Sequence, residues 1–223
     1  MEITETLVDK IQYRKHRLLD IPGVNGFRDI GGGAIKKGVV YRSGDIGDIE
    51  EAGKDIVINK LHIKTELDLR GSDMGSVLHP YLHDYHFDCP EYVGEDFGGI
   101  DCKEEIVKEN IADIFTHLSE KQDQPFLIHC EIGRDRAGTI CFLLESLLGE
   151  SEENMIIDYG LSFFVKRAYP IQIYRFYDEN FHPLMDYIKG YKGANDYQKG
   201  AKAFLLDCGL SEATLDKICR NLS

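Results

Sequence analysis

The sequence predicts an α/β fold, with a sheet-rich first half, one strand buried on both faces near the middle, and a second half that is mostly helical. Three observations carry this: short apolar runs between glycine-rich turns before residue 90, a nearly all-apolar run at 126–129, and helical periodicity from 138 onward. With 223 residues, 43% of them hydrophobic, the chain can bury one continuous core. No repeat, low-complexity tract or Pro/Ser-rich linker marks a boundary. The expected organisation is a single domain, 1–223, with a sheet-rich core at 15–150 and a helical part at 151–223.

Taken in order, residues 38–42, 63–69 and 85–89 read as strands of one sheet. Asp101 is a candidate N-cap for a helix over 102–121, where Ile106, Val107, Ile111, Ile114, Phe115 and Leu118 recur at helical spacing. Phe126-Leu127-Ile128-His129 reads as a central strand, so the helix before it suggests a βαβ crossover. The segment 138–148 is apolar almost all round and predicts a buried helix stopping at Gly149. Ser151 caps a further helix, and helical patterns follow at 173–189, 196–208 and 211–222.

Composition narrows the function classes. A formal net charge of −13 repels polyanions, which argues against nucleic acid and against stable association with an anionic membrane. No apolar run reaches 18 residues, and the first ten residues carry acids rather than a basic, then apolar, leader. A cytoplasmic protein is expected. Six cysteines without metal-knuckle spacing fit free thiols. Two short stretches run against the acidic whole: 31–44, with Lys36, Lys37 and Arg42, and 160–177, with Lys166, Arg167 and Arg175 and no acid. Each is read either as a solvated face or as facing an anion.

The string His129-Cys130-Glu131-Ile132-Gly133-Arg134-Asp135-Arg136-Ala137-Gly138 joins the buried strand to the buried helix. Five residues between cysteine and arginine can wrap into a semicircle whose N–H groups converge at the positive end of the following helix, a cradle for an oxyanion. The backbone of Glu131, Ile132, Gly133, Arg134, Asp135 and Arg136 is expected to hold a phosphate. The same field favours the thiolate of Cys130, the nucleophilic form. Arg136 can grip two phosphoryl oxygens bidentately. Asp135 is the nearest carboxyl for protonating a leaving oxygen and activating water afterwards. This chemistry calls for no metal or cofactor. A cysteine six places before an arginine arises often by chance; the strand before, the glycines and the helix after make this one specific.

These residues resemble the bacterial tyrosine and lipid phosphatases typified by protein-tyrosine phosphatase B and LipA, whose loop follows HCxxGKDRTG. Gly26-Phe27-Arg28-Asp29-Ile30-Gly31-Gly32, Val40-Tyr41-Arg42-Ser43-Gly44, Leu67-Asp68-Leu69-Arg70 and the segment Asp158-Tyr159 with Leu161-Ser162 are similar to that family in the same order. The resemblance covers roughly 15–190. It implies a three-layer α/β fold with a central mixed sheet, and activity on phosphotyrosine, sometimes phosphoserine or phosphothreonine, and on phosphoinositides. It also implies that Asp135 is the acid. Arg134 replaces the family's lysine and keeps a cation near the substrate. Ala137 replaces the hydroxyl residue that stabilises the leaving thiolate, so slower turnover is expected.

Supporting residues are read with their plainer alternatives beside them. His129 is expected to orient the loop, or simply to be buried. Asp68 and Arg70 pair beneath the loop, face the substrate, or form an ordinary strand-end ion pair, with Asp68 as second candidate acid. Arg28 and Asp29 are read as a turn held by an Asx-type bond, Arg42 as architectural, and Glu131 as pointing outward. Asp96 and Asp101 are candidates for a mobile acid loop. The substrate is expected to be a phosphorylated protein or a phosphoinositide, with inositol phosphates as a lesser alternative. A phosphate-binding pseudophosphatase is the rival of another class.

Overall fold

The computed structural model describes residues 5–71, 74–89, 105–164 and 181–223. Five strands form one mixed sheet in the order β1-β2-β5-β3-β4: β1 Arg28–Asp29, β2 Val40–Ser43, β3 Thr65–Asp68, β4 His83–His86 and β5 Phe126–His129. The last four run parallel, and β1 joins the edge antiparallel. β5 lies at the centre, so its apolar run is covered on both sides. Alternation along it sends Phe126 and Ile128 to one core and Leu127 to the other.

The larger core lies under α1 Glu5–Tyr13, α3 Glu105–Leu118, α4 Asp135–Leu147 and α5 Glu152–Leu161. The C-terminal helices α6 His182–Gly190, α7 Tyr197–Asp207 and α8 Glu212–Leu222 complete it. The smaller core, around Phe27, Tyr41, Ile49, Val57, Leu78 and Leu127, lies under α2 Glu51–Asp55 and the π-turn Ile56–Lys60 that continues it. The arrangement is the expected α/β sandwich with a central mixed sheet between helical layers. No described helix is long and apolar enough to cross a membrane.

Capping signals were the most legible boundary marks. Ser151 accepts from the Asn154 N–H at 3.3 Å, Asp196 from Lys199 at 2.8 Å and Ser211 from Thr214 at 3.1 Å, each ahead of the helix it was expected to start. Several boundaries differ. β4 occupies 83–86 rather than 85–89: an edge strand is set by its ladder to β3 rather than by apolarity, and its first residues are exposed. α4 starts at Asp135 rather than Gly138, because loop geometry turns the chain helical before the apolar run begins. Arg28–Asp29 forms a short strand, although the expected Asx bond from Gly31 N–H to Asp29 Oδ1, 2.8 Å, is also present.

Candidate active site

Cys130 follows β5 directly, is 3% exposed, and sits under the turn that leads into α4. The Gly133 N–H donates to its Sγ at 3.3 Å. Gly133 has φ +71°, and a Cβ there would lie 2.2 Å from the Ser43 carbonyl oxygen, so only glycine lets the loop pass this close to β2. The loop carbonyls are held from outside. Asp45 N–H donates to Glu131 O at 3.0 Å, Arg42 Nε to Gly133 O at 2.9 Å, an Arg42 Nη to Arg134 O at 2.8 Å, and Ser162 Oγ to Gly133 O at 3.3 Å. Across a trans peptide the next N–H points opposite to the carbonyl. Fixing these three carbonyls outward therefore turns the N–H groups of Ile132, Arg134 and Asp135 toward the inside of the loop, an anion-binding arrangement.

The brace behind this loop is a buried charge cluster. Arg42, from β2, also pairs with Asp158 of α5; Arg28, from β1, meets the same carboxylate with Nε at 2.6 Å and donates to Ser162 Oγ at 3.0 Å. Burial pushes the Asp158 carboxyl up, but Arg28 and Arg42 outweigh it and hold the group far below the usual carboxylate range. Burial also draws the Arg28 guanidinium below its ordinary value, more than Asp158 restores. Arg42 is thus architectural as expected, while Arg28 does more than stabilise a turn.

Asp135 occupies the first turn of α4, where a carboxylate suits the helix dipole. It accepts from Arg134 Nε at 3.0 Å and from the Tyr159 hydroxyl at 3.3 Å. Burial, with Asp135 next, pushes the Tyr159 phenol well above its ordinary value, so the O–H stays a donor. Arg136 donates to the Cys89 carbonyl at 3.3 Å and pairs with the Glu131 carboxylate. That pairing corrects the expectation for Glu131, whose side chain folds over Arg136 instead of pointing away, because an unopposed guanidinium attracts the nearest carboxylate. Ala137 is buried and offers no hydroxyl, leaving the Gly133 N–H as the donor to sulfur.

Beneath the loop, Arg70 grips Asp68 with Nε at 2.9 Å and an Nη at 2.6 Å, and reaches Asp45 at 3.0 Å. Burial raises the Asp68 carboxyl, but the Arg70 hydrogen bonds and nearby His129 outweigh it and hold it below its ordinary value. A carboxyl held in its ionised form is a poor proton donor, which weighs against Asp68 as the acid. His129 is fully buried; its Nε2 meets Glu66 Oε1 at 3.0 Å, and Nδ1 has no partner among the described residues. The Glu66 contact assigns the proton to Nε2. Glu66 escaped sequence reading, although it stands two residues before Asp68 on β3 and so shares its face. Donor atoms of Glu66, Asp68 and His129 lie within 4.8 Å of one another, spacing that suits a metal. Their oxygens are already engaged by Arg70, His129 and Ser76, so the set reads as a hydrogen-bonded support for the loop.

The structure therefore brings together Cys130, the 131–136 backbone, Arg136, Asp135, His129, Asp68 and Arg70. Asp96, Asp101, Lys166, Arg167 and Arg175 lie outside the described residues. The five described cysteines are free, and burial pushes the Cys89 and Cys141 thiols up to about 12, which keeps them protonated.

Among solved structures, the core catalytic domain of the PP-IP phosphatase Siw14 from S. cerevisiae, in complex with citrate, is 17% identical over 75% of this chain and 94% of its own, with a TM-score of 0.49. A cysteine-to-serine form of TpbA from P. aeruginosa, in complex with phosphotyrosine, is 12% identical over 78% of this chain and 88% of its own, with a TM-score of 0.47. No curated protein matches the chain. The sequence profile of the tyrosine phosphatase family matches residues 19–90 and 101–223, nearly the whole chain, and the protein belongs to that family.

Proposed function

We propose that the protein hydrolyses phosphomonoesters through a cysteinyl-phosphate, with phosphotyrosine in proteins as its substrate class. The observation that carries this is the loop around Cys130: a buried sulfur accepting the Gly133 N–H, with three further amides turned inward and Arg136 at its end. In the first step Cys130 sulfur forms a bond to phosphorus as the P–O ester bond breaks, and Asp135 gives its proton to the leaving oxygen. In the second, water attacks phosphorus, Asp135 takes the water proton, and the S–P bond breaks to release phosphate and the thiolate. Arg136 and the loop amides neutralise the equatorial oxygens throughout. Denaturing quench during turnover, followed by peptide mapping, should find phosphate on the Cys130 peptide; a phosphate-free Cys130 with normal turnover would exclude the intermediate. Phosphotyrosyl peptides should outperform phosphoinositide vesicles, since the chain's net charge of −13 opposes docking on an anionic surface.

Asp135→Asn is expected to lower kcat roughly 10²- to 10⁴-fold on alkyl or tyrosyl phosphates, the range of general acid catalysis, with a smaller loss on a substrate whose leaving group needs no proton. Equal losses on both kinds of substrate would remove Asp135 from the acid role.

The Glu131 carboxylate pairs with Arg136, so it competes with a phosphate for the guanidinium. Partly exposed ion pairs are worth up to about 1 kcal/mol, and Glu131→Gln should therefore lower KM about 2- to 5-fold. Phosphate inhibition should tighten in parallel. A raised KM would mean instead that Glu131 positions Arg136 for the substrate.

A further inference from the structure

Tyr159 of α5 is 2% exposed, and its ring is held from three sides. It stacks on Phe181 with centroids 3.9 Å apart and planes 5° from parallel, and Phe163 meets it at 6.0 Å. The third side is the first turn of α4. Gly138 lies three residues past Asp135, on the same helix face, and a Cβ there would stand 3.0 Å from Tyr159 Cε2 and 2.5 Å from an Arg42 Nη. Glycine at 138 therefore opens the space through which the ring reaches the catalytic loop.

A phenylalanine would fill the same space, so packing does not account for the hydroxyl. Among the described residues it bonds to Asp135 Oδ1 alone, donating at 3.3 Å. Arg134, its guanidinium 5.2 Å from the Phe163 ring, grips both oxygens of that carboxyl: Nε lies 3.0 Å from Oδ1 and 3.2 Å from Oδ2, and an Nη lies 3.0 Å from Oδ2. The fork treats the two oxygens alike. Tyr159 does not, and a second donor on Oδ1 makes Oδ2 the oxygen better placed to carry a proton.

We propose that Tyr159 is a positioning residue for the general acid: its hydroxyl anchors Oδ1 of Asp135, so that the proton sits on Oδ2 and passes from there to the leaving oxygen. This role rests on Asp135 as the acid and adds the group that aims it. As Oδ2 gives up its proton the carboxyl becomes negative, and the bond from Tyr159 becomes charge-assisted and stronger. A contact that strengthens on the way to the transition state raises kcat rather than substrate affinity. In the second step the same bond holds Oδ1 while Oδ2 takes up the water proton.

Tyr159→Phe tests this, since it keeps the ring, its stack on Phe181 and its fit against Gly138, and removes only the hydroxyl. It should lower kcat on tyrosyl or alkyl phosphates about 3- to 10-fold, the scale of one hydrogen bond, with KM within about 2-fold of wild type. The loss should be smaller on a dinitrophenyl phosphate, whose leaving group needs no proton. Comparing two substrates on one protein cancels any change in the folded fraction. In an Asp135→Asn background the same substitution should add no leaving-group-dependent loss, because the group it acts through is gone. Unchanged kcat on tyrosyl phosphate, equal losses on the two substrates, or the same selective loss without the Asp135 carboxyl would overturn the role of Tyr159. Asp135→Asn by itself separates the two roles: a selective loss there keeps Asp135 as the acid whatever Tyr159→Phe shows, and its absence removes both.

Discussion

Cys130→Ser is expected to lower kcat for a small aryl phosphate by about 10⁴-fold or more, the scale on which removing a covalent nucleophile acts. The substitution leaves the loop's backbone partners untouched: Arg42, Asp45 and Ser162 hold carbonyls, not the sulfur. What changes is the attacking atom, since a serine hydroxyl is a far weaker nucleophile than a cysteine sulfur. Phosphate binding should therefore survive while turnover disappears. Chelator present throughout should leave wild-type turnover intact. Residual turnover above a tenth of wild type would rule out Cys130 as nucleophile. Freshly reduced wild type with no turnover at all would instead favour a phosphate-binding module, with Ala137 as the mark of lost catalysis.

Asp158→Asn should destabilise the fold by about 3–5 kcal/mol, because it leaves Arg28 and Arg42 buried without their common counter-charge. Urea unfolding would measure the loss, and an effect under about 1 kcal/mol would show that water reaches the pair and solvates it. The acid limb of stability gives the second readout. In the unfolded chain an aspartate titrates near 3.9, whereas Asp158 in the fold is held far lower. Its contribution is thus complete above about pH 3.9 and is lost as pH falls toward the folded value, while the unfolded chain takes up the proton first. Wild type should lose stability below about pH 4 more steeply than the Asn variant, with neighbouring Glu145, already displaced upward, contributing nothing to that limb.

The nucleophile loop was legible because its determinants are contiguous: strand 126–129, the turn, and a helix in direct succession. The cap Ser151 was legible for the same reason, acting on an N–H three residues away, and Asp196 and Ser211, which open their helical patterns, cap in the same way. The brace was not. Arg28 and Arg42 meet Asp158 across 130 and 116 residues, and only the resemblance of the 158–162 segment hinted that it mattered. Helices α1 and α2 were also missed: both are short, and among the described residues the buried face of α1 rests on Leu7, Val8 and Ile11 alone. Glu66 was passed over because a strand acid reads as surface until its partner His129 is known to sit on the adjacent strand. The orientation of Glu131 failed for another reason: backbone pattern sets where a loop goes, but the nearest charge sets where its side chains fold.

The hold of Arg42 on Gly133 and Arg134 also bears on how portable the site is. Transplanting residues 129–138 into another strand–helix junction would carry over the nucleophile, the acid and the arginine. It would leave behind the guanidinium, 91 positions earlier in the chain, that keeps the peptide planes facing the right way, and the α5 carboxylate that neutralises it. The smallest transferable unit is three separate segments in fixed register, so a graft of the ten-residue motif alone should yield a reactive cysteine and no oxyanion pocket.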